Sequence, residues 1–197
     1  MHDARLVAGV FMASLAYAVV RYNVFGAVDW QQLPVFVTNK AVSVAGLAML
    51  GISRVVVDKA RRKQLGLVGA ALSGLHVLLS LMVLEPSYLA KLYLPNGAMT
   101  GSAELSMLTG AVATVLLGWL LYATVQRPLD VQSSGVSLVR GLGRFVLVLV
   151  AAHVAFIGWA GWLDVATWPG RLPPITLLSF AIALGFCLLP KARRPAA

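Results

Sequence analysis

The sequence predicts an all-α membrane protein, a single bundle of six transmembrane helices, and three observations carry that prediction. Of its 197 residues, 59% are hydrophobic and only 12% are charged, a balance outside the range of ordinary water-soluble domains. The apolar residues gather in six runs, each near the 20 or so residues that an α-helix needs to cross a hydrocarbon layer about 30 Å thick. Lysines and arginines concentrate in alternate connections, the pattern left when cationic loops stay on the cytoplasmic side.

The predicted helices cover approximately residues 6–24, 35–55, 65–84, 105–125, 145–163 and 175–189, with turn-forming or charged sequence between them. The first follows MHDAR and contains Ala16-Tyr17-Ala18, a loose match to a signal-peptidase site. It is read as a retained helix, because the leading segment is weakly basic and removal would spoil the even helix count. Gln31 and Gln32 precede the second helix, and the basic segment SRVVVDKARRKQ introduces the third. The segment EPSYLAKLYLPNGAMTGSAE holds Pro86, Pro95-Asn96-Gly97 and Gly101, and predicts an ordered loop with turns lying across the membrane surface. Six spans and short loops use nearly all of residues 1–197, so one transmembrane domain is expected and no soluble one.

On one side of such a bundle fall Arg5, Arg54, Lys59, Arg61, Arg62, Lys63, Arg127, Arg140, Arg144, Lys191, Arg193 and Arg194; the other side has only Arg21, Lys40, Lys91 and Arg171. Both termini are therefore expected in the cytoplasm. The formal net charge of +9 then reflects topology and anionic lipid, and no nucleic-acid partner is expected. Cys187, the single cysteine, lies in an apolar run, which excludes an internal disulfide framework and a CxxC motif.

Two histidines stand deep in apolar sequence, His76 in LGLVGAALSGLHVLLSLMVL and His153 in FVLVLVAAHVAFIGWAGW. Intramembrane ionisable residues are costly, and each is a functional hypothesis by default. Counting from Leu65 and Arg144 puts them roughly 16 and 13 Å along helices that run in the same direction, near mid-bilayer. At matching depth, two imidazoles suit the axial positions of one b-type haem iron, making them its metal ligands. Gly69, Ser73, His76 and Ser80 share one helix face, and the small residues beside His76 are expected to leave room for a macrocycle. Helix packing accounts for the same stripe, and a single interhelical hydrogen bond or a proton or quinone role accounts for the histidines. Zinc, which takes three or four protein ligands, is disfavoured.

At the outer end Arg21, Tyr22 and Asn23 close the first helix and Thr38, Asn39 and Lys40 open the second. Arg21 is a candidate partner for haem propionates, with snorkelling anchorage as its alternative role. Trp30, Trp159, Trp162 and Trp168 fit an outer aromatic belt. The apolar spans hold no carboxylate pair and no activated nucleophile, so no catalytic residue is assigned.

The stretch ARRKQLGLVGAALSGLHVLLSL resembles the third helix of the ferric reductase-like transmembrane family: Arg61-Arg62, then Leu65-Gly66-Leu67, then His76 ten residues after the glycine. LGRFVLVLVAAHVAFIGW, with His153, is similar to the family's second haem helix, and the outer loop and AELSMLTGAVATVLLGW are similar to the loop and fourth helix of bacterial members. The resemblance implies a bacterial inner-membrane cytochrome b passing single electrons from a separate cytoplasmic reductase or quinol to ferric iron or another outer redox acceptor. Two-haem members carry two histidines on each haem helix. One on each here implies a single haem, as in STEAP-type metalloreductases and the membrane haem subunit of the methionine sulfoxide reductase system. No GxGxxG follows a strand, so a flavin or nicotinamide domain is not expected within this chain. Flavin or quinone binding has no sequence motif. The rival expectation is an accessory or scaffold subunit of a larger membrane complex, with the haem incidental or lost.

Overall fold

The computed structural model describes residues 2–126 and 134–189. Among these residues the regular elements are α-helices: α1 (His2–Val19), α2 (Thr38–Val55), α3 (Lys59–Met82), the one-turn α4 (Pro86–Leu89), α5 (Gly101–Gln126), α6 (Ser134–Gly158) and α7 (Ile175–Leu188). Wider turns at Val20–Val24 and Leu33–Val37 lengthen α1 and α2. Six stretches are long and apolar enough to cross a membrane: Asp3–Val24, Trp30–Val55, Lys59–Met82, Gly101–Gln126, Gly141–Gly161 and Pro169–Leu188. A hydrocarbon solvent offers the backbone no hydrogen bonds, so each span must satisfy its own peptide groups as a helix.

Two helices, α3 and α6, start furthest ahead of the hydropathy prediction. Asp58 caps α3 by accepting a hydrogen bond from the Arg61 backbone N–H (2.7 Å), and the Arg62 guanidinium turns back onto the Val56 carbonyl (2.7 Å). The basic segment is therefore the first turns of the helix and not a loop. Likewise α6 begins at Ser134 and carries Arg140 and Arg144 inside it. Charge ends a hydropathy window without ending a helix, since a helix can run past the membrane surface into water.

The contacts fix the directions of the helices. Asn39, at the start of α2, meets Ser80 late in α3, and Ser106, early in α5, meets His153 late in α6. Both pairs are antiparallel. Asp3 pairs with Arg61 (2.5 Å) at the starts of α1 and α3, and the Arg54 guanidinium bonds the Phe186 carbonyl near the ends of α2 and α7. Arg54, Arg61, Arg62 and Arg144 thus share one end of the bundle, the basic end. Arg127, Lys191, Arg193 and Arg194 lie outside the described residues.

Helix α2 is the hub, packed on α1, α3 and α7, while α5 packs on α6 and α6 on α7. Small residues let these backbones approach, as is usual where lipid is as apolar as the side chains. A Cβ on Gly69 of α3 would lie 2.8 Å from the Leu50 backbone nitrogen of α2, and the Phe186 ring rests directly on Gly51. One apolar cluster (Phe36, Val37, Ala41, Val83, Ile175) lies toward the end away from the arginines, and a second (Leu47, Leu147, Ala151, Ala183, Cys187) toward the basic end.

The loop over residues 85–100 is ordered, as its turn residues predict. After α4 comes a turn at Ala90–Leu92, then a bridge between Tyr93 and Met99 closed around Gly97, whose φ of +83° favours glycine. Tyr88 stacks on Phe36 (6.2 Å), seating the loop on the bundle.

Candidate histidine site

His76 stands six residues before the last residue of α3 and His153 five before the last of α6, about 9 and 8 Å from those ends at 1.5 Å per residue. The two distances are similar. Both helices extend further toward the basic end than the sequence indicates, so the pair lies nearer the opposite end of its helices than the expected mid-depth.

Each imidazole is held through Nδ1 by a neighbouring helix. The Nδ1 of His76 lies 2.6 Å from Oδ1 of Asn39, a residue only 1% exposed. An amide oxygen can only accept, so Nδ1 carries the proton. Asn39 in turn donates from Nδ2 to Ser80 Oγ (3.1 Å). On the other side Ser106, fully buried, donates its hydroxyl proton to the His153 carbonyl (2.8 Å). Its Oγ, 2.9 Å from His153 Nδ1, and its main-chain oxygen, 2.8 Å away, are then both acceptors. Nδ1 of His153 is protonated as well. In a neutral imidazole that leaves Nε2 as a bare lone pair on both rings, and among the described residues neither Nε2 is hydrogen bonded.

Gly110 completes the mount for His153. A Cβ there would fall 2.8 Å from the imidazole Nδ1, so only glycine lets the α5 backbone approach so near the ring. In the sequence Asn39 groups with Thr38 and Lys40 at the start of the second helix, and nothing there ties it to His76. Ser106 and Gly110, four residues apart and hence on one face of α5, left no comparable signal.

Two members of the small-residue stripe pack against α2, the alternative use that the sequence offers for them. Gly69 meets Leu50, and the Ser73 Oγ lies 3.1 Å from where a Cβ on Gly46 would sit while bonding back to the Gly69 carbonyl (2.8 Å). Gly69 and Ser73 therefore form the α2–α3 packing seam, and the room expected beside His76 for a macrocycle does not come from them. The i, i+3, i+4 rule placed these residues on one face correctly, but α2 already covers it.

Arg21 is 7% exposed and donates from Nη1 to the Leu172 carbonyl (2.8 Å). Its Nε is buried without a partner. Trp162 donates to Thr176 Oγ1 and Trp168 to the Gly161 carbonyl (2.9 Å each), while Trp30 and Trp159 are exposed at the same end. Among the described residues no three of His, Cys, Asp and Glu come together. A groove of about 460 Å³ between α1 and α3, lined by Val7, Phe11, Leu65 and Leu72, opens beside Asp3 and Gln64 at the basic end, away from the histidines.

No protein-family model matches the chain, and no curated protein matches it.

Proposed function

We infer that the chain is a membrane cytochrome b in which Nε2 of His76 and Nε2 of His153 hold one haem between α3 and α6. The observation that carries this reading is the shared state of the two rings: both donate Nδ1–H to an acceptor on an adjacent helix and both keep Nε2 unengaged. A metal-bound histidine characteristically has this arrangement, its second nitrogen fixed by an outer partner that sets the tautomer and strengthens the ligand. Two neutral imidazoles on parallel helices, at similar distances from the helix ends, form a donor set suited to a six-coordinate haem. The likeness of ARRKQLGLVGAALSGLH to the ferric reductase-like third helix supports the same assignment.

When bound, haem supplies reversible one-electron chemistry at its iron. The chain's own contribution is orientation and environment. Asn39 and Ser106 lock the ring planes, Gly110 admits the His153 ring, and the apolar walls of α3, α5 and α6 exclude water and favour the less charged oxidation state. The basic end, taken as cytoplasmic by its arginines, receives a reductase or quinol donor, and the histidine end faces the acceptor, ferric iron or an outer redox protein.

Paramagnetic resonance of the oxidised protein tests this. The wild type is expected to give a low-spin ferric signal; His76→Gly and His153→Gly lose it, and added imidazole restores it in each. If folded wild type expressed with ample haem carries none, the reading fails and the accessory-subunit reading replaces it.

A further inference from the structure

Arg21, Lys40 and Lys91 gather at the histidine end, and among the described residues none of them is in an ion pair. The ion pair found among the described residues, Arg61 with Asp3, is at the opposite end. Lys40 Nζ sits 4.8 Å over the Phe36 ring, and the Arg21 guanidinium 5.5 Å over Tyr22. Neither contact removes a charge. The Phe36 ring under Lys40 ties the three together: Tyr22, beside Arg21, meets it edge-on at 5.8 Å, and Tyr88, three residues before Lys91, stacks on it at 6.2 Å. Lys91, in the outer loop, is held below the usual lysine range by desolvation and then by the Arg21 charge. Clustered like charges at the edge of a low-dielectric bundle are destabilising unless an anion joins them, and the buried Arg21 Nε–H still lacks an acceptor.

Lys40 links this cluster to the histidines, since it directly follows Asn39, whose Oδ1 lies 2.6 Å from His76 Nδ1. We propose that Arg21, Lys40 and Lys91 form a carboxylate-binding site adjoining the histidine pair. Its natural occupants are the propionates of the haem that the histidines hold, so the assignment of the occupant rests on the cytochrome reading. A free dicarboxylate offers the same chemistry. Charge-assisted hydrogen bonds between guanidinium or ammonium and carboxylate are the strongest class available here.

The test is Soret titration of the full chain, prepared haem-free in detergent, with haem and with haem dimethyl ester, whose carboxylates are masked. Wild type is expected to bind the ester about tenfold or more weakly than haem, the scale of one lost charge-assisted contact. In Lys40→Gln and Lys91→Gln that preference shrinks toward unity, and Lys40→Arg restores it. Helical circular dichroism checks folding, and Lys91→Gln, in a loop, serves should Lys40→Gln misfold. Calorimetric titration with succinate is the second arm: binding lost in the same variants, without ester discrimination, keeps the carboxylate site and assigns it to a free anion. Equal binding of haem and ester together with no succinate binding overturns the proposal. Haem bound by neither form, with succinate bound, sinks the cytochrome reading while the carboxylate site stands.

Discussion

Replacing Asn39 by leucine removes two interhelical hydrogen bonds and one acceptor from a proposed ligand. The bonds are His76 Nδ1–H to Oδ1 at 2.6 Å and Nδ2–H to Ser80 at 3.1 Å. Such bonds within membranes average roughly 0.6 kcal/mol and reach about 1.7, so the pair contributes on the order of 1–2 kcal/mol to the bundle. The larger consequence falls on haem. Loss of an outer partner of a metal-bound histidine typically weakens binding by about 10–100-fold, and Asn39 is the principal partner of the His76 ring. Soret titration of haem-free Asn39→Leu should therefore give an affinity at least tenfold below wild type, with helical content unchanged. Asn39→Asp keeps an acceptor and adds negative charge, which makes the imidazole a stronger donor and favours ferric iron. Its midpoint potential should fall below wild type. Unchanged affinity in the leucine variant, or a potential that rises in the aspartate variant, would refute the role assigned to Nδ1.

Four further outcomes are expected. Gly110→Ala puts a methyl 2.8 Å from the His153 ring, and its spectrum should show loss of one axial imidazole, whereas Gly118→Ala, with nothing within 4 Å, should match wild type. Gly69→Ala drives a Cβ to 2.8 Å from the α2 backbone and should destabilise the bundle by roughly 1–3 kcal/mol, read as a lower melting temperature in detergent, with Gly74→Ala in open space as the neutral control. Asp3→Asn removes a part-exposed ion pair and should change stability by less than about 1 kcal/mol and leave haem binding alone. In a Cys187→Ser background, Ser87→Cys in the outer loop should react with an impermeant maleimide on intact cells, and Lys63→Cys at the basic end only after permeabilisation; the reverse pattern would invert the orientation.

The six spans were legible because a bilayer permits few alternatives: an apolar run of sufficient length must be helical to satisfy its backbone. The ends were not, since Asp58 starts α3 at a capping bond to Arg61 while hydropathy begins only at Leu65. The histidines stood out as ionisable groups in apolar sequence, and the residues that orient them did not. Serine, asparagine and glycine serve packing, capping and ligand support alike in membrane helices, and which of these Ser106 or Gly110 performs depends on the helix opposite. Gly69 and Ser73 illustrate the same limit. Their common face is a property of one helix, but its occupation by α2 is a property of the bundle.

The central claim is that two imidazoles on α3 and α6 bind one haem, and a dithionite-reduced minus oxidised spectrum of the purified protein, with His76→Ala and His153→Ala beside it, tests that most directly. A sharp b-type α-band at one haem per chain, lost in both variants, is the predicted result. Folded wild type without Soret absorption, or an α-band that survives either substitution, would contradict it.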